Sequence, residues 1–224
     1  MWIAHYASGL IAKPFAPDVP LSLLALAGAL PDAFFFVLNL GGLESFSISS
    51  KVLRKGGCFP YNADYPFSHS LLGMGVIGSI LAFGYSATKK KASVQDMLAI
   101  VMCSLSHFLL EVPTHRHDTK ITPTDNIELG AGLFDYPSAT LAVELAIFFG
   151  GLWVYTRYAP AITKMGYMKE GQRWRLYALS IFMIAQQIHF CYGSAPTSET
   201  RFVHAPMFLF NILLSCWALG KLES

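Results

Sequence analysis

The chain has 224 residues, of which 54% are hydrophobic and 13% are charged, and its formal net charge is +2 at pH 7. A soluble domain carries about 25% charged residues, and a fold of this length exposes more surface than so few charges can cover. The composition therefore excludes a disordered chain, a typical soluble enzyme and a basic protein that binds nucleic acid. It predicts an integral membrane protein, and the lack of an internal linker predicts a single domain over residues 1–224.

The first apolar segment, Trp2–Lys13, is shorter than the roughly 20 residues that a helix needs to cross a bilayer. We expect a half-helix, an interfacial helix or a short span there. A signal peptide is not expected, because no positive leader precedes the segment and His5 interrupts it. Six longer apolar stretches predict transmembrane helices: Pro20–Leu40, Phe67–Ala87, Val94–Val112, Ser138–Tyr158, Trp174–Gly193 and Phe202–Gly220. The expected fold is all-α, a bundle of about six transmembrane helices plus a short N-terminal helix, with a kink or interruption at Pro31.

The loops between these stretches hold nearly all of the Lys and Arg residues. With six spans, ten of the 16 basic residues fall on the side of the N-terminus. The excess predicts that this side is cytoplasmic. By the same arrangement, six of the seven histidines gather at the opposite side of the membrane.

Ionisable side chains inside a membrane span are costly and usually functional. Asp32 lies in the first long stretch, and His69 opens the second. His107 and Glu111 end the third stretch and, being four residues apart, share one helix face. His5 joins this group if the first segment crosses or re-enters the membrane. Imidazole and carboxylate groups are the natural ligands of Zn²⁺ and also suit Mn²⁺ or Fe²⁺.

The pattern therefore predicts a divalent metal site, with zinc as the expected ion. The predicted ligands are His5, Asp32, His69, His107 and Glu111, with His115 and His117 as secondary candidates. Glu111 and Asp118 are the predicted catalytic residues, each as ligand or general base. Structural alternatives are a hydrogen-bonded His107–Glu111 pair, a helix-break carboxylate at Asp32, an interfacial His5 and a solvated loop at His117.

These residues fall in an order that resembles a known family, the bacterial inner-membrane metal-dependent hydrolases, which are thought to be distantly related to zinc-dependent phospholipase C. Its pattern is an early His, Leu-Pro-Asp, Thr-His-Ser-Leu entering a span and Ser-His-x-x-x-Asp ending one. The matching residues are His5, Leu30-Pro31-Asp32, Ser68-His69-Ser70-Leu71, and Ser106-His107 with Glu111. The resemblance covers residues 1–158 and implies a metal site in the inner membrane.

The sequence departs from the family pattern at two places. Glu111 stands where the family has Asp. The family's His-Arg-Gly is replaced by Asp64-Tyr65-Pro66-Phe67, where Asp64 is the available ligand.

Four functions fit the sequence. The first is a metal-dependent hydrolase whose partners are the lipid bilayer and a phosphoester or lipid-like substrate. The second is a transporter or channel for protons, metal ions or small solutes, with Asp32, Glu144 and the histidines in its pathway. The third is a haem protein with paired His ligands, and the fourth is a scaffold without catalytic activity.

Overall fold

The protein is an all-α bundle, as predicted. The computed structural model describes residues 1–89, 92–159, 173–195 and 197–223. Lys90, Lys91, Lys164 and Lys169, four of the predicted cytoplasmic cations, lie outside these ranges. Within the described ranges the α-helices are α1 (His5–Ala12), α2 (Leu21–Gly41), α3 (Ser50–Lys55), α4 (Leu71–Thr88), α5 (Val94–Thr114), α6 (Pro137–Tyr158), α7 (Trp174–Tyr192) and α8 (Ala205–Gly220).

Five of the described helical segments are long and apolar enough to cross a membrane. They are α2, α4, α5, α6 and the segment Thr200–Glu223, which contains α8. The chain is therefore an integral membrane protein by the length and composition of its helices. The sixth predicted span forms the helix α7. Its mean hydropathy is too low for it to be counted with the other five, because Gln186, Gln187 and His189 interrupt its apolar sequence.

The first segment forms a short helix inside the bundle. α1 has eight residues and packs against α2, α5 and α6. A helix of this length rises about 12 Å, too little to cross a bilayer. α1 lies very close to α2, since a Cβ at Gly28 would come within 2.3 Å of the His5 carbonyl oxygen. The segment is thus a buried half-helix, and it carries His5 into the interior.

Pro31 does not interrupt α2, so of the kink or interruption expected there, the interruption was wrong. Leu21–Gly41 is one continuous helix with Pro31 inside it. Proline removes one backbone donor but is tolerated in a membrane helix whose neighbours restore the lost contacts. Asp32 is therefore an ordinary helical residue, and the helix-break explanation of this carboxylate does not apply.

A small antiparallel hairpin follows α2. Strands β1 (Ser45–Ile48) and β2 (Tyr61–Asp64) pair with Ser45 opposite Asp64, and α3 lies between them. The second predicted span starts four residues later than expected, at Leu71, because the Ser70 hydroxyl accepts a hydrogen bond from the Gly73 N–H and caps α4. His69 consequently lies in the connection from the hairpin to α4.

An aromatic core joins the hairpin to the bundle. Phe35 and Phe36 of α2 pack against Phe46 of β1, and Phe208 of α8 contacts Phe36 and Phe46. The hairpin is thereby fixed over the end of the bundle where α2 and α5 end.

Candidate metal centre

Five predicted ligands converge in the interior. α1 supplies His5, α2 supplies Asp32, the hairpin connection supplies His69, and α5 supplies His107 and Glu111. Two overlapping groups, His5–Asp32–His107 and His69–His107–Glu111, each place one ligand atom per residue within 4.8 Å of the others. The four segments come from distant parts of the sequence, so this convergence is a property of the tertiary fold.

Carboxylate and imidazole atoms alternate in the cluster. His5 Nε2 lies 2.8 Å from Glu111 Oε1 and 3.6 Å from Asp32 Oδ2, and His69 Nε2 lies 3.2 Å from Asp32 Oδ1. His107 Nε2 lies 3.7 Å from Glu111 Oε1 and 3.8 Å from Asp32 Oδ1. The amino group of Met1 also contacts Glu111 Oε1. At these distances, imidazole nitrogens and carboxylate oxygens that could each bind a metal ion meet at one point.

The cluster is buried except at Asp32. The Asp32 side chain is 15% exposed, whereas those of the other four predicted ligands are buried. A cavity of about 20 Å³ borders Asp32, His69 and His115, with aromatic walls that include Phe35 and Phe59. A space of this size accommodates one water molecule beside polar groups.

The orientation of His107 suits a metal ligand. Its Nδ1 lies 2.8 Å from the Gly28 carbonyl oxygen, which only accepts, so Nδ1 carries the proton. Nε2 therefore presents its lone pair to the cluster, and this buried atom has no hydrogen-bond partner among the described residues. A ring nitrogen fixed by a hydrogen bond from its opposite N–H to a backbone carbonyl is the arrangement typical of a metal-bound histidine.

His115 forms a second layer beside Glu111. Its Nε2 contacts Glu111 Oε2, and its Nδ1 lies 2.8 Å from Asp118 Oδ1 and 2.6 Å from the Tyr65 hydroxyl. Burial alone lowers the pKa of His115, but the carboxylates of Glu111 and Asp118 raise it more strongly, to about 9. Asp118, a predicted catalytic residue, thus reaches the cluster through His115.

Several predicted or considered residues lie elsewhere. His117 is exposed, with a positive φ of 55°, and no contact places it in the cluster. Asp64 is exposed on β2, outside the cluster. His189 is exposed, and His204 Nδ1 lies 2.9 Å from the Tyr61 hydroxyl.

Glu144 has a structural position. From α6 its carboxylate accepts hydrogen bonds from the Trp2 N–H at 2.7 Å and from the Ala4 N–H at 3.0 Å. These donors precede α1 and have no partner within the helix. Glu144 therefore caps α1 and holds the helix that carries His5.

The sequence did not identify Glu44, which accepts a hydrogen bond from Ser68 beside His69. One signal was present, because Glu44 is the only charged residue between Asp32 and Lys51. No family model matches the chain, and comparisons with curated proteins and with solved structures find no match either. The geometry of the site therefore carries the functional argument.

Proposed function

We propose that the protein is a metal-dependent hydrolase of the bacterial inner membrane that acts on phosphoester or lipid-like substrates. The observation that carries this proposal is the buried His107 Nε2, which lies within 4 Å of Asp32 and Glu111 oxygens and has no hydrogen-bond partner among the described residues. A buried polar atom without a partner is costly. A cation bound by His5, Asp32, His69, His107 and Glu111 would remove that cost.

The donor set fits a catalytic ion better than a purely structural one. Structural zinc sites are usually built from Cys ligands with or without His, whereas nitrogen and carboxylate ligands are typical of hydrolytic metal sites. When bound, a divalent metal supplies Lewis acidity and lowers the pKa of a water ligand to about 7.

The remaining groups have separate roles in this proposal. Asp32, the one partly exposed member, borders the cavity that would hold the attacking water. Glu111 holds His5 on one oxygen and His115 on the other. Asp118 holds Nδ1 of His115, so the pair is placed to exchange a proton at the edge of the site.

The side chains beyond the cluster favour hydrolysis over transport. Leu10 of α1, Leu24 of α2 and Ile100 of α5 are fully buried. They belong to the halves of their helices that point away from the hairpin. A transport pathway would need polar groups to continue through this region.

Metal content tests the proposal directly. Protein purified in mild detergent without chelators is analysed for metals as wild type, as H69A/H107A and as the control H117A/H189A, which removes two exposed histidines. We expect about one divalent ion per wild-type and control chain and none in H69A/H107A. Wild-type protein free of metal would refute the proposal.

Hydrolysis is tested on the same samples with bis(p-nitrophenyl) phosphate and with phospholipid in mixed micelles. We expect metal-dependent product release by the wild type and by the control, and none by H69A/H107A. A metal-loaded wild type that cleaves neither substrate would contradict the predicted substrate class.

A further inference from the structure

Glu44 is a buried carboxylate outside the ligand set. It lies between α2 and β1 and is 3% exposed. Its Oε1 accepts hydrogen bonds from the N–H groups of Phe67 and Ser68 at 2.8 and 2.9 Å. Its Oε2 lies 2.6 Å from the Ser68 hydroxyl oxygen. All three contacts are donors to the two carboxylate oxygens, and a carboxylate oxygen accepts hydrogen bonds.

The Glu44 carboxylate fixes the direction of the hydrogen bond between the Ser68 hydroxyl and His69 Nδ1. The Ser68 hydroxyl has a single proton, and it donates that proton to Glu44. The Ser68 oxygen lies 2.9 Å from His69 Nδ1, so it accepts there and Nδ1 must carry the proton. His69 Nε2 then has a free lone pair, and this atom lies 3.2 Å from Asp32 Oδ1 inside the cluster.

We propose that Glu44 is a positioning residue which, through the Ser68 hydroxyl, holds His69 in the Nδ1-protonated tautomer and directs its Nε2 lone pair into the metal site. The proposal rests on the proposed metal centre. His107 reaches the same tautomer through the Gly28 carbonyl oxygen, whereas His69 depends on a relay of two side chains. A carboxylate acting on a metal-bound histidine increases the basicity of that ligand.

The substitution E44Q keeps the shape of the side chain, removes its charge and reverses the direction of its hydrogen bond with the Ser68 hydroxyl. An amide oxygen still accepts from the Phe67 and Ser68 N–H groups, but the amide nitrogen donates to the Ser68 oxygen. The Ser68 proton then turns to His69 Nδ1, which must accept, so Nε2 becomes protonated. We expect the ¹⁵N spectrum of ¹⁵N-histidine-labelled, metal-free protein to show His69 changing from the Nδ1-H to the Nε2-H tautomer. The His69 signals are assigned by their loss in H69Q.

Zinc affinity provides the second measurement. We expect E44Q to bind Zn²⁺ about 10- to 100-fold more weakly than wild type, the range seen when an outer partner of a metal ligand is lost. E44D, which keeps a carboxylate, should restore the wild-type tautomer. E199Q is the matched control, because exposed Glu199 also accepts two backbone N–H bonds, from Arg201 and Phe202, without touching the site.

S68A is a second test that does not depend on the folding of E44Q. It removes the hydroxyl that links Glu44 to His69 and leaves both backbone hydrogen bonds to Glu44 in place. In the S68A background, adding E44Q should not weaken zinc binding further. An unchanged His69 tautomer with zinc affinity within twofold of wild type in E44Q would overturn the role of Glu44. A wild type without zinc affinity would refute the proposed function instead, while the spectrum of the metal-free protein still decides the tautomer.

Discussion

Two buried glutamates outside the ligand set show how single residues organise this interior. Glu44 accepts hydrogen bonds that orient a connection, and Glu144 accepts hydrogen bonds that cap a helix. The sequence marks both as isolated carboxylates but does not show their partners, because the donors they serve lie 23 to 142 residues away. The predicted ligands were easier to find, since His69, His107 and Glu111 interrupt strongly apolar stretches.

Replacing Glu144 should destabilise the protein. E144A leaves the N–H groups of Trp2 and Ala4 buried without an acceptor, and each such loss costs about 1–3 kcal/mol. We expect a clearly lower melting temperature in detergent, together with weaker metal binding because α1 carries His5. The exposed residue Glu128 provides the control E128A, which should melt like wild type. Equal melting temperatures for both variants would show that the cap contributes no stability.

The packing of α1 on α2 depends on the absence of a side chain at Gly28. A Cβ there would lie 2.3 Å from both the His5 carbonyl oxygen and the Ser8 hydroxyl oxygen. Contacts this close require backbone movement, and both α1 and the carbonyl that holds His107 belong to this region. Ligand geometry is therefore coupled to the packing of two helices.

G28A should weaken zinc binding by displacing α1 and, with it, His5. We expect at least a tenfold loss of affinity measured by competition with a chelator. Gly84 in α4 is the matched control, because a Cβ there meets no atom within 4 Å and alanine is favoured over glycine inside a helix. G28A protein that binds zinc as tightly as G84A would contradict the coupling.

The helices were predictable because long apolar stretches are a strong signal. The serine caps at Ser70 and Ser93 explain why the predicted and observed starts differ for α4 and agree for α5. The hairpin was missed, since two strands of four residues carry too little periodicity to be recognised. The interruption expected at Pro31 was wrong because a proline in a packed membrane helix need not end that helix.

At the scale of the whole molecule, polar contacts mark its two ends. At one end Lys13 Nζ lies 2.7 Å from Glu223 Oε1, joining the end of α1 to the end of the last helix. At the other end Arg116 donates to the carbonyl oxygens of Cys58 and Phe59 and pairs with Asp135. The cluster of His, Asp and Glu side chains lies nearer this second end, which the distribution of Lys and Arg predicts to be outside the cytoplasm.

Cysteine labelling tests this orientation. The four native cysteines are buried, so they give little background. Asn126 and Lys89 are exposed in the connections at opposite ends. In bacterial cells that carry the protein in the inner membrane, as proposed, we expect a membrane-impermeant maleimide to label N126C once the outer membrane is permeabilised, and K89C only after inner-membrane lysis. The reverse pattern would place the His/Asp/Glu cluster on the cytoplasmic side.

The meeting of four chain segments at one cluster also bears on how the molecule opens. α1, α2, the hairpin connection and α5 each contribute a ligand, so an ion held by all of them is released when any one segment departs. In most proteins, partial openings have lower free energies than global unfolding. With the ion bound, the separate openings of these four segments would become a single cooperative event in this half of the bundle. Hydrogen exchange in α1, the shortest of these helices, would slow to the rate of its long neighbours.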